Sequence, residues 1–184
     1  MKAIITDFDG TLFDTQFANF EAYRRSFRDA GLSLTEEQYN KLFGVRFDVL
    51  MKELCVPLEL QEYIKERKAK HYEDLVKENF IKPNTQLLDF IEYEHSNGTK
   101  TAIASTARLK NIQTVLKHFH KENLFDAIIS GEEVKHPKPL PDAYIKALVQ
   151  LKVNATDAIA FEDTKIGVIA ANHAGIKCIK IAIE

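Results

Sequence analysis

Short apolar runs recur along the chain and alternate with stretches whose apolar residues repeat at helical spacing. The runs lie at Ala3–Ile5, Thr101–Ala104, Ala127–Ile129, Ala158–Phe161 and Cys178–Ile183. Helical spacing is found over Asn111–Phe119, Asp142–Leu151 and Lys165–Ala174. Continuous apolar strands that alternate with helices are typical of a buried parallel sheet built from βαβ units. The pattern therefore predicts an α/β fold with a Rossmann-like parallel sheet.

Residues 15–82 break this alternation, because they contain no convincing strand. A first helix is predicted from the spacing of Phe20, Tyr23, Phe27 and Ala30, with Gly31 as its stop. Two further helices are predicted around Leu42–Leu54 and over Gln61–Asn79. We therefore expect an α/β core formed by residues 1–14 and 83–184, with residues 15–82 inserted as a helical bundle. Two connections to the core would suit a hinged lid.

Composition and charge argue against several classes of protein. The formal net charge is −2, which is unlike a general nucleic-acid binder. No apolar run approaches the length of a membrane span, and Met-Lys before a short strand does not resemble a signal peptide. Cys55 and Cys178 lie far apart among apolar neighbours, which predicts buried free thiols. We expect a cytoplasmic protein with no nucleic-acid and no membrane partner.

Two carboxylates follow the first predicted strand, in the segment Asp7-Phe8-Asp9-Gly10-Thr11. Residues two apart on an extended chain point the same way, so Asp7 and Asp9 can face one site. Two like charges held close together are costly unless a cation or a shared proton relieves them. A capped turn before a helix is the alternative explanation for this segment.

Three further polar signals follow strands or precede helices. Ser105 and Thr106 end the second run, where a hydroxyl caps a helix or helps to bind an anion at the helix N-terminus. Lys138 stands between prolines, which present it from a rigid loop; a solvated lysine is the alternative. Glu162 and Asp163 end the fourth run, before Thr164 as a possible cap. Ligands of open α/β sheets bind outside the carboxyl ends of the strands, and carboxylates there suit Mg²⁺.

These motifs together resemble those of the haloacid dehalogenase-like hydrolase superfamily, in the same order. The resemblance rests on Asp7–Thr11, Ser105, Lys138–Asp142 and Phe161–Thr164, followed by Gly167, Ala170–Ala171 and Ala174–Gly175. It is nearest to the branch that contains phosphoglycolate phosphatase and β-phosphoglucomutase, in which a helical cap is inserted after the first motif. The resemblance covers nearly the whole chain and implies a catalytic α/β core with a helical cap.

The resemblance implies a Mg²⁺-dependent phosphatase that hydrolyses a small phosphorylated metabolite. Asp7 would be the nucleophile that forms an aspartyl-phosphate, and Asp9 would be the general acid and then the general base. The implied phosphate-binding residues are Ser105, Thr106 and Lys138. The implied metal ligands are Asp7, Asp9 through its carbonyl, Glu162 and Asp163.

Two departures from the mutase pattern favour a phosphatase over a phosphomutase. The mutase has a cap histidine ten positions after its second aspartate, and this chain has Asn19 there. The mutase's phosphate-binding arginine follows a Gly-Val pair with a different spacing from that of Arg46. Asn19 and Arg46 are therefore candidate substrate contacts, with a solvated arginine as the alternative for Arg46. A phosphomutase and a non-catalytic binding protein of the same fold remain the rival hypotheses.

A third departure concerns the end of the chain. Relatives of this branch usually continue past the fifth strand with another strand and helix, whereas this sequence ends at Glu184. The sheet edge would then be uncovered or covered by a partner. The oligomeric state is left open.

Overall fold

A five-stranded parallel sheet organises the larger of two compact units in the computed structural model, which describes residues 1–181. This unit consists of residues 1–14 together with the chain from Pro83 onward, and the smaller unit is Thr15–Lys82. The strands are β1 (Ala3–Thr6), β2 (Phe13–Asp14), β3 (Lys82–Pro83), β4 (Lys100–Ala104), β5 (Ala127–Ile129), β6 (Ala158–Glu162) and β7 (Lys177–Lys180). The helices are α1 (Gln16–Asp29), α2 (Glu36–Asn40), α3 (Phe47–Glu53), α4 (Leu58–Lys77), α5 (Thr85–Ser96), α6 (Leu109–His118), α7 (Asp142–Leu151) and α8 (Lys165–His173).

The sheet has the strand order β5-β4-β1-β6-β7, and every neighbouring pair in it is parallel. Strand β1 is central and its residues Ala3, Ile4 and Ile5 are completely buried. Burial on both faces explains why β1 is a continuous apolar run with no polar alternation. The prediction of an α/β fold with a parallel sheet is confirmed.

Small side chains of the sheet let helix α7 pack closely against it. Ala102, Ala104 and Ala160 belong to the same buried cluster as Tyr144 and Ala147 of α7. Alanines on the strands leave room for the large ring of Tyr144, which is completely buried. The apolar area removed from water there stabilises the unit at roughly 25 cal/mol per Å².

The smaller unit is built from helices α1 to α4, and α1 packs along α4. Its core is formed by Phe27, Leu34, Tyr39, Leu50, Met51, Val56 and Ile64. The single helix predicted over Leu42–Leu54 is wrong, because α2 ends at Asn40 and α3 begins at Phe47. The turn between them contains Gly44 with φ of +85°, a conformation that glycine adopts without strain.

Three other outcomes refine the sequence predictions. Helix α5 was not predicted, although Asn84 caps its start by accepting a hydrogen bond from the N–H of Leu87. Residues 182 and 183 of the last predicted strand lie outside the described residues. Cys55 is exposed and Cys178 is half-buried, so the prediction that both thiols are buried is wrong. Both cysteines are free thiols.

Within residues 1–181, no helix combines the length and the apolar character that crossing a membrane requires.

Candidate active site

The carboxyl ends of three neighbouring strands bring the sequence motifs to one edge of the sheet. In the β1–β6 ladder Thr6 lies beside Phe161, and in the β1–β4 ladder it lies beside Ile103. Asp7 therefore continues β1 at the level where β6 ends, and its N–H donates to the carbonyl of Phe161 at 2.9 Å. Ser105 directly follows the adjacent strand β4.

Lys138 connects two of these carboxylates. Its Nζ donates to Asp7 Oδ1 and to Glu162 Oε1, both at 2.5 Å. The side chain of Lys138 is 4% exposed, that of Asp7 9% and that of Glu162 not at all. A buried charge needs such partners, since an unpaired ion in the interior would cost several kcal/mol. The alternative considered from the sequence, that Lys138 is a solvated side chain, is therefore wrong.

Asp163 completes an acidic cluster with Asp7 and Glu162. One carboxylate oxygen from each lies within 4.8 Å of the other two. Asp163 Oδ1 accepts a hydrogen bond from the hydroxyl of Thr11 at 3.0 Å. Gly10 has φ of +84°, and a Cβ built there would lie 2.3 Å from Asp163 Oδ2. Glycine therefore permits both the turn and the close approach of the carboxylate.

Glu162 is held by more partners than the sequence suggests. Its Oε1 also accepts from the hydroxyl of Tyr144 at 2.7 Å. Its Oε2 accepts from the hydroxyl of Thr164 at 3.2 Å and from the N–H of Thr164 at 3.4 Å. The predicted capping role of Thr164 is confirmed, because its hydroxyl accepts from the N–H of Gly167 at 3.1 Å.

Charges and burial shift the pKa values of this cluster. Burial raises the pKa of Asp7 well above its usual value; Lys138 opposes the rise, and Glu162 and Asp163 add to it. Burial likewise raises the pKa of Asp163, against the hydrogen bond from Thr11. Burial alone would lower the pKa of Lys138, but the adjacent carboxylates of Asp7 and Glu162 raise it overall. The lysine is thus an ammonium at neutral pH and partly balances the acidic groups.

The loop after β4 differs from the predicted helix cap. Ser105 is buried, its N–H donates to the carbonyl of Ile129, and its Oγ accepts from the N–H of Ala107. Helix α6 begins later, at Leu109, whose N–H donates to Glu132 and not to Ser105. A direct cap by Ser105 is therefore wrong, because the hydroxyl is used inside the turn that precedes the helix.

The backbone of Thr106 packs against the segment after β5. A Cβ built on Gly131 would lie 2.3 Å from the carbonyl oxygen of Thr106. The N–H of Gly131 donates to the carbonyl of Ala107 at 2.9 Å. A glycine is therefore needed where the two loops meet, and it holds the Ser105–Thr106 turn against the end of β5.

The remaining candidate residues lie elsewhere along the chain. Asp9 is half-buried two residues after Asp7 and forms an isolated β-bridge with Phe13. Asn19 and Arg46 belong to the smaller unit. Asn19 is buried and its Oδ1 accepts from Lys68 Nζ at 2.7 Å. Arg46 forms a bidentate ion pair with Asp48, in which Nε donates to Oδ1 at 2.6 Å and Nη2 donates to Oδ2 at 2.5 Å.

Sequence reasoning missed Tyr144, Gly131 and Glu132 as residues that hold the site in place. Tyr144 lies six residues after Lys138 in a predicted apolar helix, where a tyrosine needs a partner for its hydroxyl. That requirement was a usable signal. Gly131 directly follows a predicted strand, and the need for glycine there becomes visible only when the facing loop is known.

The donor set of the cluster fits a hard divalent cation. Asp7, Glu162 and Asp163 offer only carboxylate oxygens, which are the ligands that Mg²⁺ prefers. Together with the ammonium of Lys138 they carry a formal excess of negative charge, which a divalent cation would offset.

Comparison with known proteins agrees with this geometry. A family model described as haloacid dehalogenase-like hydrolase matches residues 4–181. A phosphorylated carbohydrates phosphatase of Thermotoga maritima is 34% identical over 184 residues, covering 96% of this chain and 83% of that protein. The protein CbbY of Cereibacter sphaeroides is 31% identical over 193 residues, covering 97% and 83%.

Solved structures give the same result. A CbbY mutant from Rhodobacter sphaeroides in complex with xylulose-(1,5)bisphosphate has a TM-score of 0.91 at 27% identity, covering 100% of this chain and 87% of that one. A β-phosphoglucomutase from Clostridium difficile has a TM-score of 0.84 at 26% identity, covering 100% and 85%. The resemblance inferred from the four motifs is confirmed, and the chain belongs to the haloacid dehalogenase-like hydrolase family.

Proposed function

We propose that this chain is a Mg²⁺-dependent phosphatase that hydrolyses a small phosphorylated carbohydrate through an aspartyl-phosphate. The observation that carries the proposal is the buried contact of Lys138 with Asp7, beside two further carboxylates. A carboxylate nucleophile next to an ammonium and a candidate cation site is suited to attack on a phosphoryl group, whose charge must be offset. The relatives named as phosphatases support this choice.

The reaction runs in two displacements. Asp7 attacks phosphorus and forms an acyl-phosphate, while the ester bond breaks and Asp9 gives its proton to the departing sugar oxygen. Asp9, now a carboxylate, then takes a proton from water as the water oxygen attacks phosphorus. The bond from phosphorus to Asp7 breaks, which restores both aspartates and releases inorganic phosphate.

The protein's own groups bind and orient the phosphoryl group. Lys138 donates to its non-bridging oxygens, and the turn at Ser105 and Thr106 supplies hydroxyl and N–H donors. Asp7, the carbonyl of Asp9, Glu162 and Asp163 would hold Mg²⁺. When bound, the cation offsets the repulsion between the carboxylate nucleophile and the anionic substrate.

Substrate selection is assigned to the smaller unit. We propose that residues 15–82 act as a cap for the catalytic unit formed by residues 1–14 and 83–184, with Asn19 and Arg46 as substrate contacts. The relatives whose names mention phosphorylated carbohydrates and a xylulose bisphosphate support a sugar phosphate as substrate. The proposal includes a cytoplasmic location, which the two free cysteines support.

A phosphate-release assay on a panel of sugar mono- and bisphosphates, phosphoglycolate and nucleoside monophosphates tests this function. We expect release from at least one sugar phosphate with Mg²⁺, loss of release with EDTA, and recovery when Mg²⁺ is added back. Release that survives chelation would contradict the metal assignment. Interconversion of sugar phosphates without net release would favour the mutase, and no turnover at all would favour a binding protein.

Asp7→Asn should lower kcat by at least about 1,000-fold, because the amide is a poor nucleophile. Asp89→Asn, at an exposed position of α5, is the matched control and should keep normal turnover. Circular dichroism and thermal melting would establish that both variants fold. Normal turnover of Asp7→Asn would remove this residue from its proposed role.

A further inference from the structure

The hydroxyl of Tyr144 contacts the oxygen of Glu162 that also binds Lys138. Tyr144 is completely buried, and its hydroxyl lies 2.7 Å from Glu162 Oε1. The same oxygen accepts from Lys138 Nζ at 2.5 Å. We propose that Tyr144 is a positioning residue for Lys138 and acts through Glu162. The effect on turnover rests on the proposed phosphatase function, but the effect on the position of Lys138 does not.

The carboxylate of Glu162 is restricted to one orientation. Oε1 accepts from Tyr144 and Lys138, and Oε2 accepts from the N–H and the hydroxyl of Thr164. On the remaining side, a Cβ at Gly167 would lie within 2.0 to 2.1 Å of the carboxylate atoms. Glu162 Oε1 is therefore fixed in a position from which it accepts from Lys138 while Lys138 also donates to Asp7.

Lys138 is shared between two carboxylates at equal distance, so its position depends on how strongly each one accepts. The hydrogen bond from Tyr144 is one of the contacts that hold Glu162 Oε1 where it accepts from Lys138. Without that hydroxyl, Glu162 Oε1 would be less fixed in position and would hold Lys138 less firmly. The ammonium would then no longer be held beside Asp7 and beside the place where a phosphoryl group would lie.

The chain connectivity supports this role. Lys138 lies on a loop, whereas Tyr144 lies on helix α7, which begins at Asp142 and packs against the sheet. The ring of Tyr144 also lies beside the ammonium, with Lys138 Nζ 5.2 Å from its centroid. A residue of the rigid helix thus restrains the loop lysine through a carboxylate of strand β6.

Kinetics of Tyr144→Phe test the effect on turnover. We expect kcat to fall about 10-fold with KM changed by less than about 3-fold, because the change displaces a donor without removing it. Tyr93→Phe is the matched control, since Tyr93 is 68% exposed on α5. A large loss of Mg²⁺ affinity with normal kcat would overturn the proposal.

Labelling of lysines with acetic anhydride, read by mass spectrometry, tests the position of Lys138 without turnover. In Tyr144→Phe we expect Lys138 to label at least about 5-fold faster than in the parent protein. Lys68, which is 5% exposed in the other unit, is the buried reference and should label at an unchanged rate. Unchanged labelling of Lys138 together with normal kcat would overturn the proposal.

A second variant keeps the test valid if Tyr144→Phe does not fold. Glu162→Gln removes the carboxylate through which Tyr144 acts on Lys138, so it should also speed the labelling of Lys138. An unchanged labelling rate in this variant would count against the proposal. Faster labelling of Lys138 in a protein that releases no phosphate would reject the phosphatase and retain the positioning role. Normal turnover and labelling in Tyr144→Phe, with an active parent, would reject the positioning role alone.

Discussion

Replacement of Gly167 by alanine should reverse the usual effect of this substitution in a helix. Glycine inside a helix costs about 1 kcal/mol relative to alanine, so Gly167→Ala in α8 would ordinarily stabilise the protein. Here the added Cβ would lie 2.0 Å from the Cδ and Oε1 atoms of Glu162. Ordinary contact begins at 3.4 Å, so the carboxylate would have to retreat by about 1.4 Å. That movement breaks its hydrogen bonds with Lys138 and Tyr144.

The magnitude follows from the bonds that are lost. A hydrogen bond to a charged group contributes about 1.5 to 3 kcal/mol, and the bond from Tyr144 contributes at least about 1 kcal/mol. Subtracting the helix gain of about 1 kcal/mol leaves a net loss of about 2 kcal/mol in the free energy of unfolding. For a chain of this length the melting temperature should fall by roughly 4 to 8 °C. We expect kcat to fall by at least about 10-fold, because Lys138 loses its fixed partner.

Urea unfolding and thermal melting, followed by circular dichroism, measure the stability, and phosphate release measures the activity. Asn172→Ala, at an exposed position of the same helix, is the control. It should stabilise slightly, by up to about 0.5 kcal/mol, because it changes only helix propensity. If Gly167→Ala were as stable as the control and fully active, the close packing of Glu162 on α8 would be refuted.

The other predictions concern separate parts of the chain. Gly10→Ala should cost about 1 to 2 kcal/mol of stability, because residue 10 has a left-handed backbone conformation. It should also weaken activation by Mg²⁺, because the added Cβ would displace Asp163. Full activity at low Mg²⁺ would contradict this second expectation. The pKa of Glu21 is lowered by hydrogen bonds from two arginines, so this residue stabilises the fold above its unfolded pKa and the contribution is lost as pH falls. Glu21→Gln should therefore lower the free energy of unfolding by about 1 kcal/mol at pH 7 and have no effect in acid below both pKa values. The control Glu37→Gln, whose ion pair is exposed, should have a smaller effect at pH 7. Equal losses of stability in Glu21→Gln at both pH values would refute the charge argument. Asn84→Ala should cost about 1 kcal/mol through loss of the α5 cap, measured by urea unfolding, and an unchanged midpoint would show that the cap is dispensable.

The sheet and its acidic edge were predictable because each depends on short sequence distances. Continuous apolar runs identified β1, β4, β5 and β6, and parallel strands bring their carboxyl ends to one edge. Asp7 directly follows β1, and Glu162 ends β6 just before Asp163, so the fold class alone placed them near one another. The flanking prolines marked Lys138 as a candidate held in a rigid loop, and the family resemblance then implied its role in binding phosphate, since a loop lysine has no periodicity to identify it.

The errors have physical causes that local patterns do not contain. The stretch Leu42–Leu54 was predicted as one helix because its apolar residues lie on one side, but Gly44 turns the chain between α2 and α3. Helix α5 was overlooked although Asn84 and the spacing of Leu87, Leu88 and Ile91 are helix signals. The contact of Tyr144 with Glu162 joins a helix to a strand, and only the packed structure determines which polar group a buried hydroxyl reaches.

The hydrogen bond from the N–H of Asp7 to the carbonyl of Phe161 has a wider consequence. It extends the β1–β6 ladder by one step, so the main chain itself sets the interval between the residue that follows β1 and the acidic pair that ends β6. A substitution of Asp7, Glu162 or Asp163 would therefore change the chemistry of this edge without changing the backbone spacing there. A scaffold of this kind can acquire new reactions by exchanging side chains, without rebuilding the backbone that carries them.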